Sequence, residues 1–426
     1  MIIRVNINSK VVKSLNRIDV QSVKVSDNRI EVSFDVSGEQ DWLDCFVEPY
    51  VEITEYETSI DGVPESVAVL PFVSNMLPMI WVFDAVLHVN EIDKSFYESI
   101  PEFKKGFIKM YSQFELKGTV EADSVIENHS GTDGSILLFS GGADAFYTLI
   151  SILEQKPVLL TVWGADLYTD NPGGWANIES HVKKSANNLE LESVCVKTNF
   201  RLYTSRQRLD ETVKAKNPKL NWYHDFQHGP VLLCLAAPLA YKRGAGRVYI
   251  SSSFTPDLIG NYFCASDPTI DNYMRYSDTQ VIHHGYESNR QEKIHKICEF
   301  NSAHNNIIDL RVCFDAYNGT NCCICEKCCR TMLAIIADGC NPANYGFELY
   351  DEEQRKKIIY KLKHVYRPQF QYNRYHCIQE HLRERYTLRT CPKDLKWFYV
   401  LKLHRSLPWY YRIFNKLKKA VRSLIK

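Results

Sequence analysis

The sequence predicts an α/β protein: an open, parallel sheet over residues 131–345, preceded by a β-rich region over residues 1–130 and followed by a basic helical extension over residues 346–426. Three observations predict it. From about Gly134 short apolar runs alternate with stretches of helical periodicity, the pattern of strands joined by crossover helices. Before that point the runs are short and alternating, with turn residues between them. Toward the end the charge changes: residues 351–426 carry 20 Lys and Arg against 6 Asp and Glu, in a chain whose 51 basic and 51 acidic side chains cancel.

In the first region "MIIRVNI", "RIEVSFDV" and "VEPYVEITEY" are expected strands, with "SDN" and "DG" as turns, and "SFYESIPEFKKGFIKMYSQ" is an expected helix. It holds no catalytic constellation, so an accessory domain that orients, covers or recognises something is expected. In the middle region "SILLF", "PVLLTVWG", "ESVCVKTNF", "RVYISSS" and "TQVIHHG" are the expected strands. "DAFYTLISILEQ", "WANIESHVKKSANNLE" and "DFQHGPVLLCLAAPLAYKRG" are the expected helices, the last buried and closed by Gly244. Helices of this length between strands imply parallel pairing. In such sheets ligands sit outside the carboxyl ends of the strands, which directs attention to Ser140–Asp144, Trp163–Asp166, Thr198–Arg201 and Ser251–Thr255.

The length of 426 residues suggests two or three domains. A hydrophobic fraction of 45% is that of a globular chain and excludes wholesale disorder. No secretory succession opens the chain and no apolar run reaches the roughly 18 residues of a spanning helix, so a cytoplasmic location is expected. The cancelling charges and the lack of a recognised RNA-binding module count against a nucleic-acid partner. Six of the 14 cysteines crowd between Cys313 and Cys329, which points to metal rather than to disulfides.

Ser140, Gly141, Gly142, Ala143 and Asp144 lie where the first strand of the α/β region ends and a helix begins. Two glycines allow a tight turn with backbone N–H groups facing an anion, and the helix directs its positive end at the same point. Neither the Walker pattern nor Gly-x-Gly-x-x-Gly is present. "SGGADA" resembles the Ser-Gly-Gly-x-Asp-Ser signature of the PP-loop family, the N-type ATP pyrophosphatases, which cleave ATP to AMP and pyrophosphate. The resemblance implies the adenine nucleotide alpha hydrolase-like sheet of that family, ATP phosphates held by the loop, and Asp144 helping to place magnesium or the phosphates. Ala145 departs from the signature, standing where the family has its final Ser. The lost hydroxyl donor costs about 1.5–3 kcal/mol of binding.

Cys313, Cys322, Cys325 and Cys328 follow the pattern C-x8-C-x2-C-x2-C. Tetrahedral zinc favours four thiolates, and C-x2-C turns present two sulfurs to one ion. Cys323 and Cys329 adjoin proposed ligands and are expected not to ligate. An iron–sulfur cluster is the rival, but the ferredoxin run needs a further Cys-Pro that the sequence lacks. The same spacing downstream of a PP-loop resembles the 7-cyano-7-deazaguanine synthase family over residues 134–345. That resemblance implies a structural zinc and ATP activation of a carboxylate before ammonia attacks. Cys323 stands where that family usually has Gly, and neither flanking region belongs to it. The whole arrangement looks like relatives associated with bacterial surface-polysaccharide or secondary-metabolite pathways.

Other candidates follow the strand ends. His283, His284, Glu287 and Arg290 sit after the last strand, where Arg290 can clamp a phosphate or carboxylate; a solvated helix start is the alternative. Trp222, His224, Asp225 and His228 can handle protons or simply begin a helix. Trp163, Gly164 and Asp166 can shape an adenine or substrate pocket, or Trp163 can pack. The tail "WFYVLKLHRSLPWYYRIFNKLKKAVRSLIK", interrupted at Pro408, can lie on an anionic membrane surface, contact RNA, or pack its aromatics on the α/β region.

The expected function is ATP-dependent activation of a small-molecule carboxylate or amide, forming AMP and pyrophosphate, with Asp144 and Arg290 as catalytic residues. A non-catalytic nucleotide-binding or interaction protein with a degenerate loop and a tRNA-modifying enzyme are the alternatives. A homo-oligomer remains open.

Overall fold

The computed structural model describes residues 15–255, 262–313, 317–347 and 351–405. The strand expected in "MIIRVNI" and the tail beyond Arg405, including Pro408, lie outside the described residues. The strands are β1 (Arg17–Ser26), β2 (Arg29–Ser37), β3 (Val51–Tyr56), β4 (Val86–Asp93), β5 (Thr119–Ile126), β6 (Gly134–Leu138), β7 (Val158–Trp163), β8 (Ser193–Thr198), β9 (Ala245–Ser251), β10 (Arg275–Tyr276) and β11 (Thr279–His284). The helices that bear on the site are α1 (Leu70–Phe83), α2 (Lys94–Met110), α3 (Ala143–Ser151), α4 (Pro172–Asn188), α5 (His228–Leu235), α6 (Ala237–Arg243), α7 (Arg290–Ala303), α8 (Glu326–Ala337), α9 (Glu352–Lys361) and α10 (Tyr372–Arg385).

Among the described residues eleven strands form one sheet, in the order β10-β11-β9-β6-β7-β8-β3-β2-β1-β4-β5. From β8 to β11 neighbouring strands run parallel, as an α/β fold with crossover helices requires. Taken in chain order, β6, β7, β8, β9 and β11 lie in the order 3-2-1-4-5. The direction of winding therefore reverses between β6 and β9, and a crevice opens at their carboxyl ends. The first region joins the same sheet: β3 pairs antiparallel with β8, Thr54 opposite Thr198.

Strand alternation builds two apolar layers. Ile136, Leu160, Val194 and Val248 point into one, with α1, α5 and α6, while their neighbours Leu137, Leu159, Cys195 and Tyr249 point into the other, with α3, α4, α7, α8 and α10. The first region is not purely β. "LPFVSNMLPMIWVF" forms α1, buried over all but its last two residues; a run that is apolar on all sides but for Ser74 and Asn75 has no periodicity that separates a strand from a buried helix. The single helix expected around residues 225–243 is a π-turn over Tyr223–Gln227 followed by α5 and α6, and it closes at Gly244 with φ 60°.

In the third region α10 buries Tyr375, Ile378 and Leu382 in the second layer, and Leu395 and Phe398 join them. The described part of the extension is thus packed on the α/β layer. Among the described residues no helix is long and apolar enough to cross a membrane.

Candidate functional site

The loop leaves the end of β6 at the crevice and enters α3 at Ala143, with Gly142 as the N-cap. Gly141 has φ 73°, and a Cβ there would collide with His181 Nε2 of α4, so glycine is required on two counts. The N–H of Gly142 donates to Ser140 Oγ at 3.3 Å. Arg311 ties the loop from outside. Its backbone N–H donates to Gly141 O at 2.7 Å, and its guanidinium Nε and Nη2 donate to Ser140 O at 3.1 and 2.9 Å. Burial, and then Arg311, push the His181 imidazole down to about 4, so it is neutral beneath the loop, and its Nε2 is buried with no hydrogen-bond partner among the described residues.

Asp144, in the first turn of α3, meets Arg290 Nη2 at 2.9 Å and Lys293 Nζ at 3.3 Å. Burial raises its carboxyl, but Arg290, Lys293 and Lys327 more than offset that and hold it at about 2. Lys293 is buried and also donates to Ser252 O at 2.7 Å, at the end of β9. Arg290 opens α7 behind a capping box in which Asn289 and Glu292 satisfy each other's backbone N–H groups. Arg290, Lys293, Arg311 and Lys327 therefore gather on the loop, with the Asp144 carboxylate beside Arg290 and Lys293 and the carboxylates of Asp166 and Glu287 acting from further out, which leaves a helix N-terminus rich in positive charge. Such a place suits a polyanion.

The other strand ends divide between binding geometry and packing. Trp163 stacks on Trp175 with ring centroids 5.2 Å apart and an interplanar angle of 5°, and its Nε1 donates to Tyr168 O. Gly164 has φ 110°, and a Cβ there would run into Thr198 O of the next strand. Asp166 accepts from Tyr223 OH at 3.3 Å, and Arg201 lies between the rings of Tyr168 and Tyr223. His224 pairs with Asp225 at 2.8 Å and stacks on His228, whose Nε2 is 3.7 Å from Cys264 Sγ. His283 pairs with buried Asp271, and His284 with Thr148. Of the group after the last strand, Arg290 is the residue that bonds to Asp144 on the loop helix.

The sequence reading did not single out Lys293, Arg311, Lys327 or His181. A signal for two of them existed: Arg311 stands two residues before Cys313, and Lys327 lies between Cys325 and Cys328.

The sulfurs of Cys313, Cys322, Cys325 and Cys328 all lie within 4.8 Å of one another, with Cys313 and Cys325 3.9 Å apart. Zinc–sulfur bonds of about 2.3 Å in a tetrahedron put sulfurs about 3.8 Å apart. Backbone N–H groups of Cys325 and Cys328 donate to the sulfurs of Cys322 and Cys325 at 3.3 and 3.4 Å, as a thiolate set requires. The four cysteines can hold a metal such as zinc. Cys323 is buried and has φ 56°, a left-handed position that glycine fills without strain. Cys329 is buried in the second apolar layer. The centre joins the irregular segment after α7 that carries Arg311 to the first turn of α8 carrying Lys327.

Compared with known proteins, the chain matches no family model, no curated protein and no solved structure.

Proposed function

We propose that this protein is an ATP-dependent enzyme of the PP-loop class, which activates a small-molecule carboxylate or amide with release of pyrophosphate. The observation that carries the reading is the glycine loop at the carboxyl end of β6, at the switch point of a 3-2-1-4-5 sheet, ringed by Arg290, Lys293, Arg311 and Lys327. In this reading the loop N–H groups and the α3 N-terminus bind the β- and γ-phosphates. Lys293 and Arg290, aimed by Asp144, and Arg311 stabilise the charge that develops on departing pyrophosphate. A substrate oxygen forms its bond to the α-phosphorus as the bond to the bridging oxygen breaks, and an amine, ammonia or sulfur nucleophile then opens the adenylate. Magnesium bound with the nucleotide supplies further neutralisation at the phosphates. Zinc at the four cysteines supplies no chemistry in this scheme; it moors Arg311 and Lys327.

The experiment is chromatographic detection of AMP from Mg-ATP in the presence of a panel of carboxylates and amides, beside Asp144→Asn. Substrate-dependent AMP that disappears in the variant supports the reading, and unaltered turnover removes Asp144 from the mechanism. A second reading, a non-catalytic nucleotide binder, is favoured by one pair of facts: Ala145 supplies no hydroxyl, and Asp144 is already engaged by two cations. It predicts saturable ATP binding with no AMP from any substrate.

A further inference from the structure

Away from the loop, three helices converge on one buried carboxylate. Asp338, at the carboxyl end of α8, is 4% exposed. Its Oδ1 lies 2.8 Å from His295 Nδ1 on α7 and 2.6 Å from His381 Nε2 on α10. The other ring nitrogen of His295, Nε2, meets Glu299 Oε1 at 3.3 Å.

The ligand-capable atoms of His295, Asp338 and His381 all lie within 4.8 Å of one another, a spacing at which one ion can bind all three. His295 presents Nδ1 to the carboxylate from one helix, and the Glu299 carboxylate lies near its outer nitrogen, as carboxylates commonly do beside metal-bound imidazoles. The second imidazole, His381, faces the same oxygen from another helix.

We propose that His295 Nδ1, His381 Nε2 and the Asp338 carboxylate form a second divalent-metal site, distinct from the four cysteines. Two imidazoles and one carboxylate select a zinc-class ion over magnesium or calcium, which prefer oxygen throughout. The sulfurs of Cys298 and Cys340 lie within 4.8 Å of Asp338, so a soft donor stands beside the site. Arg385 Nη1, 3.8 Å from Oδ1, shares the carboxylate's charge. The ion would pin α10 of the C-terminal extension to α7, the helix that carries Arg290 and Lys293. The site uses none of the residues of the nucleotide reading and does not depend on it. Its rival is a proton, which would leave an imidazolium–carboxylate pair.

Counting metal separates the two. The full-length chain is stripped with chelator, reloaded with zinc, freed of excess by gel filtration and analysed by mass spectrometry of the elements. Two ions per chain are expected for the wild type, and one for His295→Ala and for His381→Ala, each checked for retained helix content by circular dichroism. With cobalt, the thiolate-to-metal charge-transfer band of the cysteine site should be the same in wild type and His381→Ala, and the variant should lose only the weaker ligand-field absorption of the second ion. A single ion per wild-type chain, or a second ion that survives both substitutions, overturns the proposal. A single ion in a wild-type chain whose cobalt form shows the thiolate band decides against the second site without any variant, so misfolding of a variant does not rescue the idea.

Discussion

Glu52 gives the sharpest stability prediction. It sits on β3, the strand that joins the first region to β8, and is 2% exposed. Its Oε2 accepts from Tyr203 OH, which in turn accepts from Asn75 Nδ2 at 2.7 Å; Asn75 Nδ2 also donates to Phe200 O, just beyond β8. Burial pushes the Glu52 carboxyl up from 4.5 to about 7, against the smaller lowering effect of the Tyr203 bond. At 1.36 kcal/mol per pH unit, this corresponds to about 3 kcal/mol. The folded pKa is raised, so the folded state holds the proton more tightly. The stabilisation is therefore fully present below pH 4.5 and is lost as pH rises through 7. Glu52→Gln keeps an oxygen to accept from Tyr203 and cannot ionise. Denaturant unfolding of both proteins at pH 5 and pH 8 isolates the effect, since the other groups titrate alike in both. The variant should gain about 2–3 kcal/mol on wild type between the two pH values. A stability difference that is the same at both would refute the reasoning, because it would mean that Glu52 does not carry a buried titration.

Three further outcomes follow from the site. Gly141→Ala should cost about 1 kcal/mol or more from the positive φ alone and displace the loop against His181, so calorimetry should register weaker ATP binding with little change in melting temperature. If the four cysteines hold zinc, chelating it should weaken ATP binding by about tenfold or more, equivalent to roughly 1.4 kcal/mol, because Arg311 and Lys327 lose their mooring; fluorescence titration of nucleotide before and after zinc removal checks it, and equal affinity would separate the two sites. Lys293→Met should shift the Asp144 carboxyl upward from about 2, since one of its two close cations is removed, and carbon-detected NMR titration of the aspartates reads the direction.

What could be read from the sequence was local chemistry. The glycine loop, the C-x8-C-x2-C-x2-C spacing and the five α/β strands are encoded within short windows, and the structure shows an α/β fold with a largely parallel sheet and a cysteine cluster fit for a metal. What could not be read depended on distant partners. Arg311 reaches Ser140 across 171 positions and Lys293 reaches Asp144 across 149, separations that no periodicity reveals. The antiparallel joint between β3 and β8 spans a similar distance. The buried helix α1 was hidden for another reason: apart from Ser74 and Asn75 its residues are apolar on every side, and Pro71 and Pro78 fall within it. Cys323 shows the middle case. Its departure from glycine was visible in the sequence, but the left-handed backbone that makes the position notable appears only in three dimensions.

The central claim is that Ser140–Asp144 binds the phosphates of ATP. It is tested most directly by isothermal calorimetry of Mg-ATP into the zinc-replete full-length chain, with Arg311→Ala alongside. Saturable binding near one ATP per chain, weakened about tenfold or more in the variant by loss of a charge-assisted contact, is the expected result. No heat of binding in the wild type, or an affinity indifferent to Arg311, would contradict it.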